Sequence, residues 1–151
     1  MKIGLQLLIL ALLSFWILGI FIQVFLPIFP QLIYIYPFIE LTYSHVCHQQ
    51  PEKLIAFGFG QTLTCARCTG IYVGCFLSAI LLLIKKHNVS ISYKFFILAI
   101  ALILVDIFMY SIEFYNYSKI IALLTGMFLG SIVFYYFYKG LNDFYYYKKT
   151  N

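Results

Sequence analysis

Charge is what this chain has least of. Of 151 residues, ten are Lys or Arg and five are Asp or Glu, so 10% are charged while 64% are hydrophobic. A soluble domain carries about a quarter of its residues as charges, and one of this size could not hide so much apolar surface from water. The shortage excludes a soluble globular domain and a disordered tail. With four cysteines, the chain is no secreted disulfide scaffold. It also lacks a basic cluster, since its lysines are scattered between apolar runs, and with that goes any nucleic-acid signal. No Walker loop, Ser-x-x-Lys, Gly-x-Ser-x-Gly or His-Glu-x-x-His pattern occurs. There is no internal repeat and no low-complexity linker.

What remains is apolar sequence in span-length pieces, and the expected fold is an all-α polytopic membrane protein forming one domain over residues 1–151. No charge falls between Ile3 and Ile39. Residues 4–29 are long enough for a first span, closed by Pro27 and Pro30. Lys2 followed by an apolar stretch also suggests a signal peptide. The stretch is longer than a signal core, however, and no small-x-small cleavage site follows, so a retained anchor is expected. Residues 65–84, 92–115 and 119–137 supply three more spans. Short connections make the second and third spans antiparallel neighbours, and likewise the third and fourth. The long connection, 30–64, holds a tyrosine-rich apolar segment interrupted by Pro37 and Glu40. It is too short for a comfortable fifth span and is expected as a re-entrant or interfacial helix.

Four spans put both termini on one side. Lys2, Lys85, Lys86, Lys94, Lys139, Lys148 and Lys149 then share a face, while Lys53, Arg67 and Lys119 take the other. The bias makes the termini cytoplasmic and the long connection extracytoplasmic. Gly70, Gly74 and Ser78 recur every fourth residue on the second span, as Gly126 and Gly130 do on the fourth. Such spacing lets helix backbones approach closely in lipid, within the chain, in a homo-oligomer or against a membrane partner.

The chemistry-bearing residues cluster in the most polar stretch. His45, Cys47 and His48 precede the Cys65-Ala66-Arg67-Cys68 segment, with 16 residues between His48 and Cys65. A Cys-x-x-Cys pair presents two thiolates from one turn, and a Cys/His pair on a second segment completes a tetrahedral zinc site. Cys47, Cys65, Cys68 and one histidine, His48 or His45, would hold zinc or a similar transition metal. Cys75, alone inside a span, reads as a small hydrophobe, and His87 beside Lys85 and Lys86 reads as solvated. The same thiols allow a redox reading. A Cys-x-x-Cys at a helix N-terminus beside Arg67 favours thiolate, and Cys47 could exchange with either partner in a thiol oxidoreductase that passes electrons to quinone.

Asp106 and Glu113 lie seven apart on the third span with Tyr110 between them, so they share a face. Asp106 would sit about 10 Å deeper than Glu113. An acid at that depth must face the bundle, paired, neutral or hydrated. Asp106, Glu113 and Arg67 are the candidates for a polar pocket, a proton relay or a catalytic role in a metal-dependent membrane enzyme.

The pattern Cys47-His48-Gln49-x-Pro51, then Cys65-x-Arg67-Cys68-x-Gly70-Ile71-Tyr72-x-Gly74, resembles the signature of a small prokaryotic membrane-protein family known as domain of unknown function 2085. The similarity is dense over residues 44–78 and thin elsewhere. Members often carry Arg-Ser shortly after the proline, where this chain has Lys53-Leu54. They often carry Gly after a later acid, where Asp106 is followed here by Ile107. His45 falls outside the motif, so the resemblance favours His48 as fourth ligand. It implies that Cys47, His48, Cys65, Arg67, Cys68 and Asp106 form one functional unit, and it brings no activity with it.

Overall fold

The computed structural model describes residues 3–84, 92–112 and 116–150. Glu113, His87 and the Lys85–Lys86 pair therefore lie outside the described residues. Four helices are long and apolar enough to cross a membrane. They are α1 (Ile3–Ile20), α4 (Ala66–Ile84), α5 (Tyr93–Ser111) and α6 (Lys119–Thr150). Between α1 and α4 come a short α2 (Ile22–Phe25), a 3-10 turn at Pro30–Tyr34 and α3 (Tyr36–Ser44). A 3-10 turn at Pro51–Lys53 then leads into an antiparallel hairpin of β1 (Leu54–Phe57) and β2 (Gly60–Cys65).

The first apolar run does not stay one helix to residue 29. It breaks at Phe21 and resumes as α2, because hydropathy carries no information about backbone direction. The long connection does hold the expected helix: α3 turns Phe38 and Leu41 outward and seats Tyr43 in the core. At the other end α6 runs well past residue 137, through 32 residues. At 1.5 Å per residue it is about 48 Å long, against a hydrocarbon core of about 30 Å, so its last turns extend beyond the apolar layer.

The bundle is built around α6. Helix α4 lies along it, backbone to backbone: Gly70 and Gly74 face the backbone of Leu123 and Met127, while Gly126 and Gly130 face Arg67 and Ile71. A Cβ at any of the four would overlap a carbonyl oxygen on the facing helix. Side chains also bond across the seam. Ser78 Oγ donates to Ser131 O at 3.1 Å, Ser131 Oγ to Gly74 O at 3.1 Å and Cys75 Sγ to Gly130 O at 3.3 Å. The two small-residue faces are thus packed against each other within one chain. Helix α5 packs on α6, as expected for the third and fourth spans, but touches α4 only sparsely, whereas the short connection had suggested that the second and third spans are close antiparallel neighbours. Helix α1 packs on α4.

The packing around the connection is what places the site. Ile20, Ile22, Tyr43 and Leu63 form a buried cluster joining α1, α2, α3 and the hairpin. Tyr43 Oη donates to Trp16 O, over Gly19, where a Cβ would strike the tyrosine ring. The hairpin is closed by the two residues Gly58 and Phe59 and carries a bulge between Leu54 and Ala56. Buried Thr62 fills the gap the bulge leaves. Its Oγ1 accepts from Ile55 N–H at 3.0 Å and donates to Thr64 O at 2.8 Å. Thr64 and Thr69 then share a hydroxyl bond of 2.9 Å. These three threonines are buried and satisfy one another, as interior polar groups must. They fix the end of β2 to the first turns of α4.

Candidate metal centre

Each cysteine comes from a different kind of element. Cys47 follows the C-terminus of α3, its N–H bonded to Tyr43 O at 2.9 Å. Cys65 ends β2, and Cys68 lies in the first turn of α4. The chain between Cys47 and the hairpin turns sharply at Gln49, the described non-glycine residue with positive φ (49°). A glutamine does not favour that conformation, and here its side chain holds it, with Nε2 donating to Leu63 O at 3.0 Å. Pro51 then opens the 3-10 turn. The segment is folded back over β2 and Cys47 is delivered to Cys65 and Cys68 at the β2–α4 junction.

The three sulfurs lie within 4.8 Å of one another. Sulfurs on a single tetrahedral zinc, at about 2.3 Å each, are about 3.8 Å apart, so small adjustments would let all three reach one ion. The donors are soft, which suits zinc or another thiophilic metal. Cys65 N–H donates to Cys47 Sγ at 3.2 Å. Hydrogen bonds from the Cys65 and Cys68 thiols hold the Cys47 thiol well below its usual range, and the Cys47 contact pushes Cys65 up. The contact thus favours the thiolate on Cys47 over one on Cys65. The α4 N-terminus beneath it adds the positive end of a helix dipole.

His48 stands apart from this cluster. It is exposed and lines the wall of the cavity in front of the sulfurs. His45 is exposed too, its Nδ1 against Leu41 O at 2.7 Å. Arg67 and Asp106 form an ion pair between α4 and α5, with side-chain exposures of 21% and 5%. That pair answers the cost of an acid at membrane depth, and it places Asp106 behind Arg67, outside the sulfur cluster. Arg67 Nε is buried without a partner among the described residues.

The cavity measures about 370 Å³ and is walled by Gln49, Gln50, Lys53, Ile71 and Tyr117 as well as the groups above. Lys53 was not singled out as a functional residue from sequence. Its Nζ lies 4.8 Å from the centre of the Tyr110 ring and 5.5 Å from that of Tyr117, so it ties the connection to α5 and to the segment before α6. The available signal was its place two residues after Pro51, where the resembling family often has another cation.

A family model described as a predicted membrane protein, domain of unknown function 2085, matches residues 47–136. The chain belongs to this family. The matched stretch begins at Cys47 and contains all three clustered cysteines, Arg67 and Asp106. An uncharacterised protein of Methanothermobacter thermautotrophicus is 39% identical over 36 residues, which is 24% of this chain and 32% of the relative. The match thus spans about a third of that relative's length. No solved structure matches. Family membership and four apolar helices make this a multi-pass membrane protein.

Proposed function

We propose that this protein carries an extracytoplasmic metal centre at the membrane surface, with Cys47, Cys65 and Cys68 binding zinc or a similar transition metal. The observation that carries the reading is the convergence of three sulfurs, from two distant segments, to within 4.8 Å. Arg67, paired with Asp106, lies on the wall of the same cavity as the sulfurs. His48 is the nearest further donor in sequence and stands at the cavity wall. The excess of lysines on the face of the termini supports a cytoplasmic location for both ends and an outer location for the centre. Elemental analysis of detergent-purified protein, alongside thiol trapping, tests this. The expected result is about one metal ion per chain, protecting the cysteines from alkylation and lost on Cys65→Ser. Metal-free protein with three alkylatable thiols would refute it.

A second reading has its own support. A mostly apolar cleft of about 460 Å³ lies between α1, α2 and α3, lined by Trp16, Ile22, Phe25, Leu32 and Tyr43 among others. Trp16 meets Tyr72 in a tilted ring contact with centres 5.7 Å apart, and Tyr72 is one helical turn beyond Cys68. In this reading Cys47 forms a disulfide with Cys65 or Cys68, and the two electrons and two protons released reduce a quinone held in the cleft. A cycling disulfide without metal would favour it.

A further inference from the structure

The mouth of the sulfur cluster is open. Three thiolates leave a tetrahedral ion one ligand short, and His48 is exposed on the cavity wall instead of lying among the sulfurs. The space in front is about 370 Å³. One water molecule takes about 30 Å³, and small-molecule sites start at about 300 Å³. The volume therefore exceeds what a coordinated water needs.

Among the described residues, the charges lining this space are of one sign: Lys53 and Arg67 face it, and no described acid lines it. Asp106 neutralises Arg67 from behind. Lys53 has aromatic faces for neighbours, and among the described residues no carboxylate pairs with it. Ring faces attract an ammonium but use little of its hydrogen-bonding capacity. A divalent ion with three thiolates carries one net negative charge, which Lys53 offsets. An incoming anion therefore meets a metal and an ammonium without the repulsion of an unbalanced thiolate trio.

We propose that the metal centre keeps an exchangeable position facing this cavity, and that a small anionic donor ligand occupies it, recognised by Lys53. The proposal rests on the metal reading above and adds that the centre is a site of ligand exchange and not only a structural staple. Gln49 and Gln50 supply neutral hydrogen-bonding groups on the same wall, and Ile71 and Tyr117 an apolar side. The ligand class is thus an anionic head on a small partly apolar body.

The test uses the full chain in lipid nanodiscs, loaded with cobalt(II), whose visible absorption reports its coordination. The probes are azide, an anionic donor, and imidazole, a neutral one. Cobalt should bind at about one per chain and both probes should change the spectrum saturably. Lys53→Met keeps the stem and removes the charge. It should leave cobalt content unchanged and weaken azide about fivefold, the size of one partly screened charge contact, with imidazole affinity unaltered. If cobalt binds in full but neither probe alters its spectrum, the fourth position is closed by protein and the proposal falls while the metal reading stands. A gain of azide response in His48→Ala would then name the closing residue. Equal weakening of both probes in Lys53→Met, or none, overturns recognition by Lys53. Failure to bind cobalt overturns the metal reading and this proposal together.

Discussion

Asp106→Asn removes one charge from a buried pair and leaves the other without its counter-charge. The carboxylate is 5% exposed and the Arg67 side chain 21%. Arginine cannot escape by losing its proton, so the variant leaves an uncompensated guanidinium between α4 and α5. Breaking a buried pair from one side costs about 3–5 kcal/mol. The fifth of Arg67 that reaches the cavity lets water screen it, which argues for the lower end. About 3 kcal/mol corresponds to a roughly 150-fold fall in the ratio of folded to unfolded protein. Unfolding of detergent-solubilised protein by increasing dodecyl sulfate fraction reads this directly. The double variant Arg67→Met with Asp106→Leu removes both charges and should recover most of the loss, as apolar replacements of buried pairs commonly do. Metal content should stay near wild type in Asp106→Asn, because Asp106 lies outside the sulfur cluster. A midpoint within about 0.5 kcal/mol of wild type, the range of ordinary surface substitutions, would refute the reasoning. A double variant no better than the single one would refute it equally.

Gly130→Leu drives a side chain into the Ile71 backbone across the α4–α6 seam. It should destabilise the bundle by about 3 kcal/mol or more, whereas Gly140→Ala, with open space around it, should be neutral or gain up to about 1 kcal/mol in the same titration. Thr64→Val keeps the shape but leaves the Thr69 hydroxyl short of its 2.9 Å partner. A loss of about 1–3 kcal/mol is expected, with hydrogen exchange rising first along β2. Metal affinity should depend on pH with a definite sign. The Cys47 contact pushes Cys65 up, so a metal that binds its thiolate displaces a proton more readily as pH rises. Apparent affinity, measured by competition with a chelator, should rise about tenfold per pH unit for each proton released. A flat profile through neutral pH would contradict thiolate ligation by Cys65.

The four spans were legible because lipid demands long apolar runs, and a run is a local property of sequence. Their ends were less so. The break at Phe21 sits inside unbroken hydrophobicity, with Gln23 the visible polar residue that marks the α2 turn, where its Oε1 accepts from Gln61 N–H at 3.3 Å. The extension of α6 past residue 137 was hidden for the opposite reason. The aromatic run at Tyr135 and Tyr136 suggested an end at the membrane surface, and a helix need not stop there. The hairpin left a readable trace in Leu54–Phe57 and Gly60–Cys65 flanking Gly58 and Phe59, with alternating Thr62 and Thr64. Runs of four to six residues, however, compete with the helical reading of an apolar chain. The meeting of Cys47 with Cys65 and Cys68 could be read from residue type and spacing. Lys53 against Tyr110 and Tyr117, and Gln49 against Leu63, are contacts between distant segments that no local pattern encodes.

X-ray absorption at the edge of the bound metal bears most directly on the centre. Three sulfur scatterers at about 2.3 Å, reduced to two in Cys47→Ser, is the outcome that convergence of the two segments requires. A first shell of nitrogen and oxygen alone, or one indifferent to Cys47→Ser, would show that Cys47 does not share an ion with Cys65 and Cys68.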